Sequence, residues 1–87
     1  MTSFSYYDKY GNITAFIQGD KCFIKDIYVN EPYRNTGKGK EFINILYDWL
    51  NHKNIKIVEL RATENSKGFY LKLGFINIRE NVYTKYL

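Results

Sequence analysis

The chain has 87 residues, of which 45% are hydrophobic and 18% aromatic, and it carries a formal charge of +4. That length gives one domain with one core, the apolar content excludes a disordered segment, and the lone Cys22 excludes an internal disulfide. No apolar run approaches the roughly 18 residues that cross a bilayer and no signal peptide is legible, so a soluble, cytoplasmic protein with no membrane partner is expected.

Residues 3 to 9 and 13 to 18 are aromatic or β-branched with partial alternation, and Tyr10-Gly11-Asn12 between them carries turn residues, which predicts a hairpin. Gly19-Asp20-Lys21 then turns the chain into a third strand over residues 22 to 29. There Phe23, Ile27 and Val29 share one face and Ile24 and Tyr28 the other, a pattern expected to be buried on both sides. Asn30 to Gly39 is loop by composition. Beyond it Phe42, Ile43, Leu46, Trp49 and Leu50 recur at helical spacing, predicting an amphipathic helix from about 38 to 51. Residues 55 to 61 suit a strand, and a helix between two such strands implies a parallel crossover. Phe69 and Leu73 mark a short helix stopped by Gly74 as a left-handed cap, and Ile76 with Ile78 and residues 82 to 87 close the chain as two strands. The expected fold is α/β, a mixed, mostly antiparallel sheet in the order βββ-α-β-α-ββ.

The chemistry concentrates in Arg34-Asn35-Thr36-Gly37-Lys38-Gly39-Lys40, between a strand and a helix. Two glycines let the backbone approach a ligand closely, and the next helix offers unpaired N–H groups and its positive end, so this is an anion site ringed by Arg34, Lys38 and Lys40. A P-loop would need glycine where Pro32 stands and Ser or Thr where Gly39 stands; a dinucleotide fingerprint would need a small residue at Phe42. Neither fits. Lys and Arg outnumber Asp and Glu 13 to 9, which favours an anionic partner: nucleic acid, a lipid surface or a phosphorylated cofactor. The basic residues are otherwise spread along the chain, so no nucleic acid is expected once this one dense cluster is given to such a cofactor.

The spacing Arg-x-x-Gly-x-Gly resembles the pyrophosphate-binding loop of the GNAT superfamily of N-acyltransferases. Upstream, Lys25 to Val29 and Pro32-Tyr33-Arg34 look like that family's fourth strand and its approach to the loop. Downstream, Gly68-Phe69-Tyr70-Leu71-Lys72-Leu73-Gly74-Phe75 is similar to its Phe-Tyr-x-Lys-x-Gly-Phe signature. The resemblance implies acetyl-CoA as acyl donor, with the pantetheine arm held by main-chain groups of Ile27, Tyr28 and Val29. Its pyrophosphate would rest on the N–H groups from Asn35 through Thr36, Gly37, Lys38 and Gly39 to Lys40, beside Arg34.

Direct transfer from a thioester to an amine requires a polarised carbonyl, a neutral amine and a proton for the departing sulfur, and neither a metal nor a covalent enzyme intermediate. Tyr70 matches the family position whose hydroxyl lies near the sulfur, and implies a general acid. Asp26 and Glu59 are the candidate bases, Asp26 the preferred one; where some members carry a strand-four glutamate this chain has Phe23. Cys22 has no basic partner and reads as a small core residue, while His52 reads as a helix cap. The asparagine the family often places seven residues before the tyrosine is Thr63 here, and Asn65 falls two residues late.

From Ser3 the chain runs straight into what resembles the family's second and third strands, so the usual first strand and two helices are expected to be missing. With nine tyrosines and six phenylalanines, an uncovered sheet face is expected to be covered in a homodimer. Two functions follow: an N-acetyltransferase acting on an unidentified amine, or an inactive module that binds acyl-CoA.

Overall fold

Strand follows strand over residues 2–29 because apolar and polar side chains alternate and two-residue turns join the segments. The computed structural model describes residues 2–87. Strands β1 (Thr2–Asp8), β2 (Gly11–Gln18) and β3 (Lys21–Val29) form an antiparallel meander. The first turn is Lys9-Tyr10, not the expected 10 to 12: the Asp8 carboxylate accepts the Tyr10 N–H at 2.8 Å, and Gly11 already pairs with Asp8 and Val29. A 3-10 turn (Glu31–Tyr33) leads to α1 (Lys38–His52), then β4 (Ile57–Arg61), α2 (Lys67–Lys72), β5 (Ile76–Arg79) and β6 (Val82–Tyr86). The sheet order is β1-β2-β3-β4-β6-β5, with β3 and β4 its one parallel pair. The α/β class, the element order and the crossover thus stand as expected.

Both helices cover the same face. Phe42, Ile43, Leu46 and Leu50, at i, i+1, i+4 and i+8 of α1, are buried against Ile13, Ala15, Cys22, Ile24, Val58 and Leu60 of the sheet. Each such side chain contributes about 1.5–3 kcal/mol by leaving water. Phe4 and Tyr6 of β1 close one side, their rings 4.9 Å from Trp49 and 5.9 Å from Phe42. Helix α2 adds Tyr70 and, beyond its end, Phe75 to this core, and Gly74 with φ +92° ends it as the expected left-handed cap. His52 donates from Nδ1 to the Asp48 carbonyl at 2.8 Å in the last turn of α1.

The alternation of β3 breaks in the middle. Ala15 pairs with Ile24 but Thr14 with Asp26, which leaves Lys25 as an extra, bulged residue. Cys22 and Ile24 face the helices before the bulge, and Ile27 and Val29, opposite Ile13 and Gly11, face them after it. Phe23 therefore does not share a face with Ile27 and Val29, as the sequence pattern suggested. It stacks on Phe16 at 5.2 Å on the other side of the sheet. Nor is β3 buried on both sides: Lys25, Asp26 and Tyr28 are exposed. The bulge also ends the pairing with β4, which runs only from Lys21 opposite Ile57 to Ile24 opposite Leu60. Beyond Ile24 the two parallel strands diverge, leaving the β4-facing backbone of β3 without a strand partner.

Candidate functional site

The gap left by this divergence opens into a groove of about 580 Å³ on the helix side of the sheet. Ile27 and Val29 form its strand wall, the loop Arg34, Asn35, Gly37, Lys38, Gly39 and Lys40 its upper end, and Phe69 and Tyr70 of α2 the opposite wall. Two segments 30 residues apart in sequence meet here because the first turn of α1 packs on α2. A Cβ on Gly39 would stand 3.0 Å from the Phe69 ring, so any larger residue would have to push that ring aside by a few tenths of an ångström. Gly37, with φ +85°, supplies the left-handed turn into α1.

The loop presents unpaired donors. Among the described residues, the N–H groups of Asn35, Thr36, Gly37, Lys38, Gly39 and Lys40 donate to no backbone acceptor; the first bond of the helix is Glu41 N–H to the Gly37 carbonyl at 3.1 Å. Orphan donors at the positive end of a 15-residue helix are a ready site for phosphate oxygens. The basic side chains differ in role. Arg34 is fixed by an Nε–H bond to the Val29 carbonyl at 2.9 Å and lies 5.4 Å above the Tyr28 ring. Lys38 bonds Glu41 at 2.9 Å and sits 4.0 Å over Tyr10, the carboxylate raising its pKa. Lys40 has no carboxylate partner among the described residues and is the one left to follow a ligand.

Tyr70 is 9% exposed, its ring edge-on to Phe69 at 5.1 Å and to Phe75 at 5.7 Å. Burial, and then the negative charge of Asp26, raise its phenol above the ordinary value, which keeps it a proton donor across the neutral range. Asp26 does not line the groove. By the alternation of β3 it stands on the open face, opposite Thr14, at the point where the strands part. Acid and carboxylate thus flank the gap from opposite sides of the sheet. Tyr28 and Thr36 also lie outside the groove lining: Tyr28 shares the open face, and the Thr36 hydroxyl donates to the Tyr33 carbonyl.

Tyr33, Asn65 and Ser66 line the groove as well, without having been singled out as ligand contacts. Asn65 reaches it because Thr63 and Ser66 bond reciprocally, Thr63 N–H to Ser66 Oγ at 2.9 Å and Ser66 N–H to Thr63 Oγ1 at 3.2 Å, which folds Glu64-Asn65 back over the start of α2. A Thr-x-x-Ser spacing ahead of a short helix was the available signal.

Cys22 is fully buried and faces the helices, away from the gap, and burial pushes its thiol up to about 12. Since the unfolded chain gives up this proton from about pH 9 and the native state only near 12, the stability is complete below pH 9 and falls as pH rises between the two. Denaturant midpoints at pH 8 and pH 10.5 are expected to show the loss, at up to about 1.4 kcal/mol per unit. Cys22→Ala is expected to remove that share, and iodoacetamide to label the wild-type thiol only on unfolding. No group of three or more His, Cys, Asp or Glu poised for a metal occurs among the described residues, and no helix there is long and apolar enough to cross a membrane.

Comparison with known proteins agrees with this geometry. A model of the Acetyltransferase (GNAT) family matches residues 2–75. Among solved structures, a GNAT-family acetyltransferase from Staphylococcus aureus superposes with a TM-score of 0.81 at 21% identity, over 90% of this chain and 60% of that one. PaiA N-acetyltransferase from Thermoplasma acidophilum, solved in complex with coenzyme A, gives 0.79 at 20% identity over 88% and 53%. The anti-CRISPR protein AcrVA5 gives 0.83 at 18% identity over 97% and 98%. The chain therefore spans only a little over half the length of the first and second of these. No curated protein matches it in sequence.

Proposed function

The chain belongs to the GNAT acetyltransferase family, and from that premise we propose that it transfers an acetyl group from acetyl-CoA directly to a primary amine. The observation that carries the proposal is the run of orphan N–H groups from Asn35 to Lys40, ending a groove whose other wall holds Tyr70. In this assignment the pyrophosphate takes those donors, Lys40 and Arg34 meet the remaining phosphate charge, and the pantetheine arm lies along Ile27 and Val29 in the place of the missing strand. The complex of the Thermoplasma acidophilum enzyme with coenzyme A supports the choice of cofactor.

When bound, acetyl-CoA supplies an activated acyl carbon. A free N–H of β3 at the gap polarises its carbonyl oxygen. Asp26, directly or through a water, takes the proton that the amine nitrogen gives up as the C–N bond forms, and Tyr70 passes its proton to the sulfur as the C–S bond breaks. Burial of Tyr70 holds that proton in place until the sulfur needs it. A second copy of the chain belongs to the same proposal: Ile76, Ile78, Tyr86 and Leu87, exposed along β5 and the end of β6, are the apolar side chains it would cover.

The test is ligand-induced stabilisation. Acetyl-CoA at about 100 times its dissociation constant is expected to add roughly 2.7 kcal/mol and raise the thermal midpoint, while equimolar ATP does not. No rise at millimolar acetyl-CoA would remove the cofactor assignment.

A further inference from the structure

On the face opposite the helices, the diverging strands enclose a second hollow of about 430 Å³, walled by Phe23 and Lys25 of β3 and by Glu59 and Arg61 of β4. It adjoins the gap: Phe23 pairs with Glu59, and the last pair of the parallel ladder, Ile24 with Leu60, forms its base. The acyl groove opens on one side of this gap and the hollow lies on the other, with no lining residue shared between them.

The walls of the hollow have a definite chemistry. Phe23 is stacked on Phe16, which fixes its ring as a flat apolar surface. Glu59, its side chain only 12% exposed, lies between Lys21 at 3.5 Å and Arg79 at 3.6 Å, so its charge is already balanced. Lys25 and Arg61 have no carboxylate within ion-pair distance among the described residues, and both are exposed at the hollow. One step further along β3, toward the gap, stands Asp26, likewise without a cationic partner there. The free charges are thus two cations in the hollow and one anion at the gap.

Resting on the acyltransfer reading above, we propose that this hollow seats the acceptor, and that the acceptor is a small zwitterion: a primary amine with its own carboxylate or phosphate and an apolar skeleton. The ammonium lies toward Asp26, the anionic group between Lys25 and Arg61, and the skeleton against Phe23. A polyamine or a Lys-rich peptide brings only positive charge to Lys25 and Arg61 and is disfavoured there.

Release of the CoA thiol with phenylalanine, phosphoethanolamine, spermidine and a Lys-rich peptide tests the assignment, with the acetyl-CoA thermal shift recorded on every variant. The expected result is a kcat/KM at least about tenfold higher for a zwitterion than for spermidine, with the better of the two zwitterions telling carboxylate from phosphate. Arg61→Ala raises the zwitterion KM about tenfold with the acetyl-CoA shift intact, and Arg61→Glu turns the preference toward spermidine. Faster turnover of spermidine or the peptide by the wild type overturns the proposal, as does a zwitterion KM indifferent to Arg61. If acetyl-CoA shifts the midpoint but neither zwitterion is acylated, the hollow is wrongly assigned and the groove is not. If acetyl-CoA itself does not bind, both assignments fall.

Discussion

Tyr70→Phe is expected to lower kcat for acetyl transfer by about 10²- to 10⁴-fold, the usual contribution of a positioned general acid, while leaving acetyl-CoA affinity unchanged. The phenylalanine ring keeps the edge contacts to Phe69 and Phe75, so the loss falls on the hydroxyl alone. Steady-state release of the CoA thiol gives kcat, and the acetyl-CoA thermal shift gives binding. A fall in kcat with equal binding identifies Tyr70 as the donor; equal kcat in mutant and wild type would put the proton elsewhere. A wild type that binds acetyl-CoA and acylates no amine would be the alternative kind of molecule, a module that binds acyl-CoA without turnover.

Phe42→Ala is expected to cost about 3–5 kcal/mol, the range for truncating a fully buried aromatic side chain. Phe42 is 1% exposed, at the centre of the cluster joining α1 to β1, β2 and β3. Small domains hold on the order of 5–15 kcal/mol in total, so a large share of the reserve goes and the thermal midpoint falls by about 12–40 °C. Because the same turn of α1 carries the anion loop, acetyl-CoA is expected to recover part of the loss by binding only the folded chain. Leu71→Ala, at a side chain 49% exposed and outside the apolar strip assigned to a second copy, is the control and is expected to stay within about 0.5 kcal/mol. Scanning calorimetry on both variants, with and without acetyl-CoA, measures all of these quantities.

Much of this was legible in the sequence because periodicity and glycine spacing are local signals. The apolar spacing from Phe42 to Leu50 set the buried face of α1, and the glycines between Arg34 and Lys40 marked the turn whose N–H groups stay unpaired. What escaped was non-local. Nothing near Lys25 in the sequence says that it bulges; the bulge arises from fitting β3 against β2 while β3 also leaves β4. A strict period of two therefore grouped Phe23 with Ile27 and Val29, placed Asp26 and Tyr70 without regard to the sides of the sheet they occupy, and left the hollow beside Arg61 unseen. Asn65 was missed for a similar reason, since its place depends on the Thr63 and Ser66 side chains folding the chain back on itself.

The single extra residue in β3 bears on how such a protein can diversify. Because the bulge reverses which side chains point where, Phe23 and Lys25 line one cavity and Ile27 and Val29 another, assigned above to the amine and to the cofactor, though all four fit within seven consecutive residues. Substitutions before the bulge can retune the choice of amine while the cofactor contacts after it stay constant. A lineage carrying this strand can thus explore new acceptors one mutation at a time and remain able to hold its donor throughout.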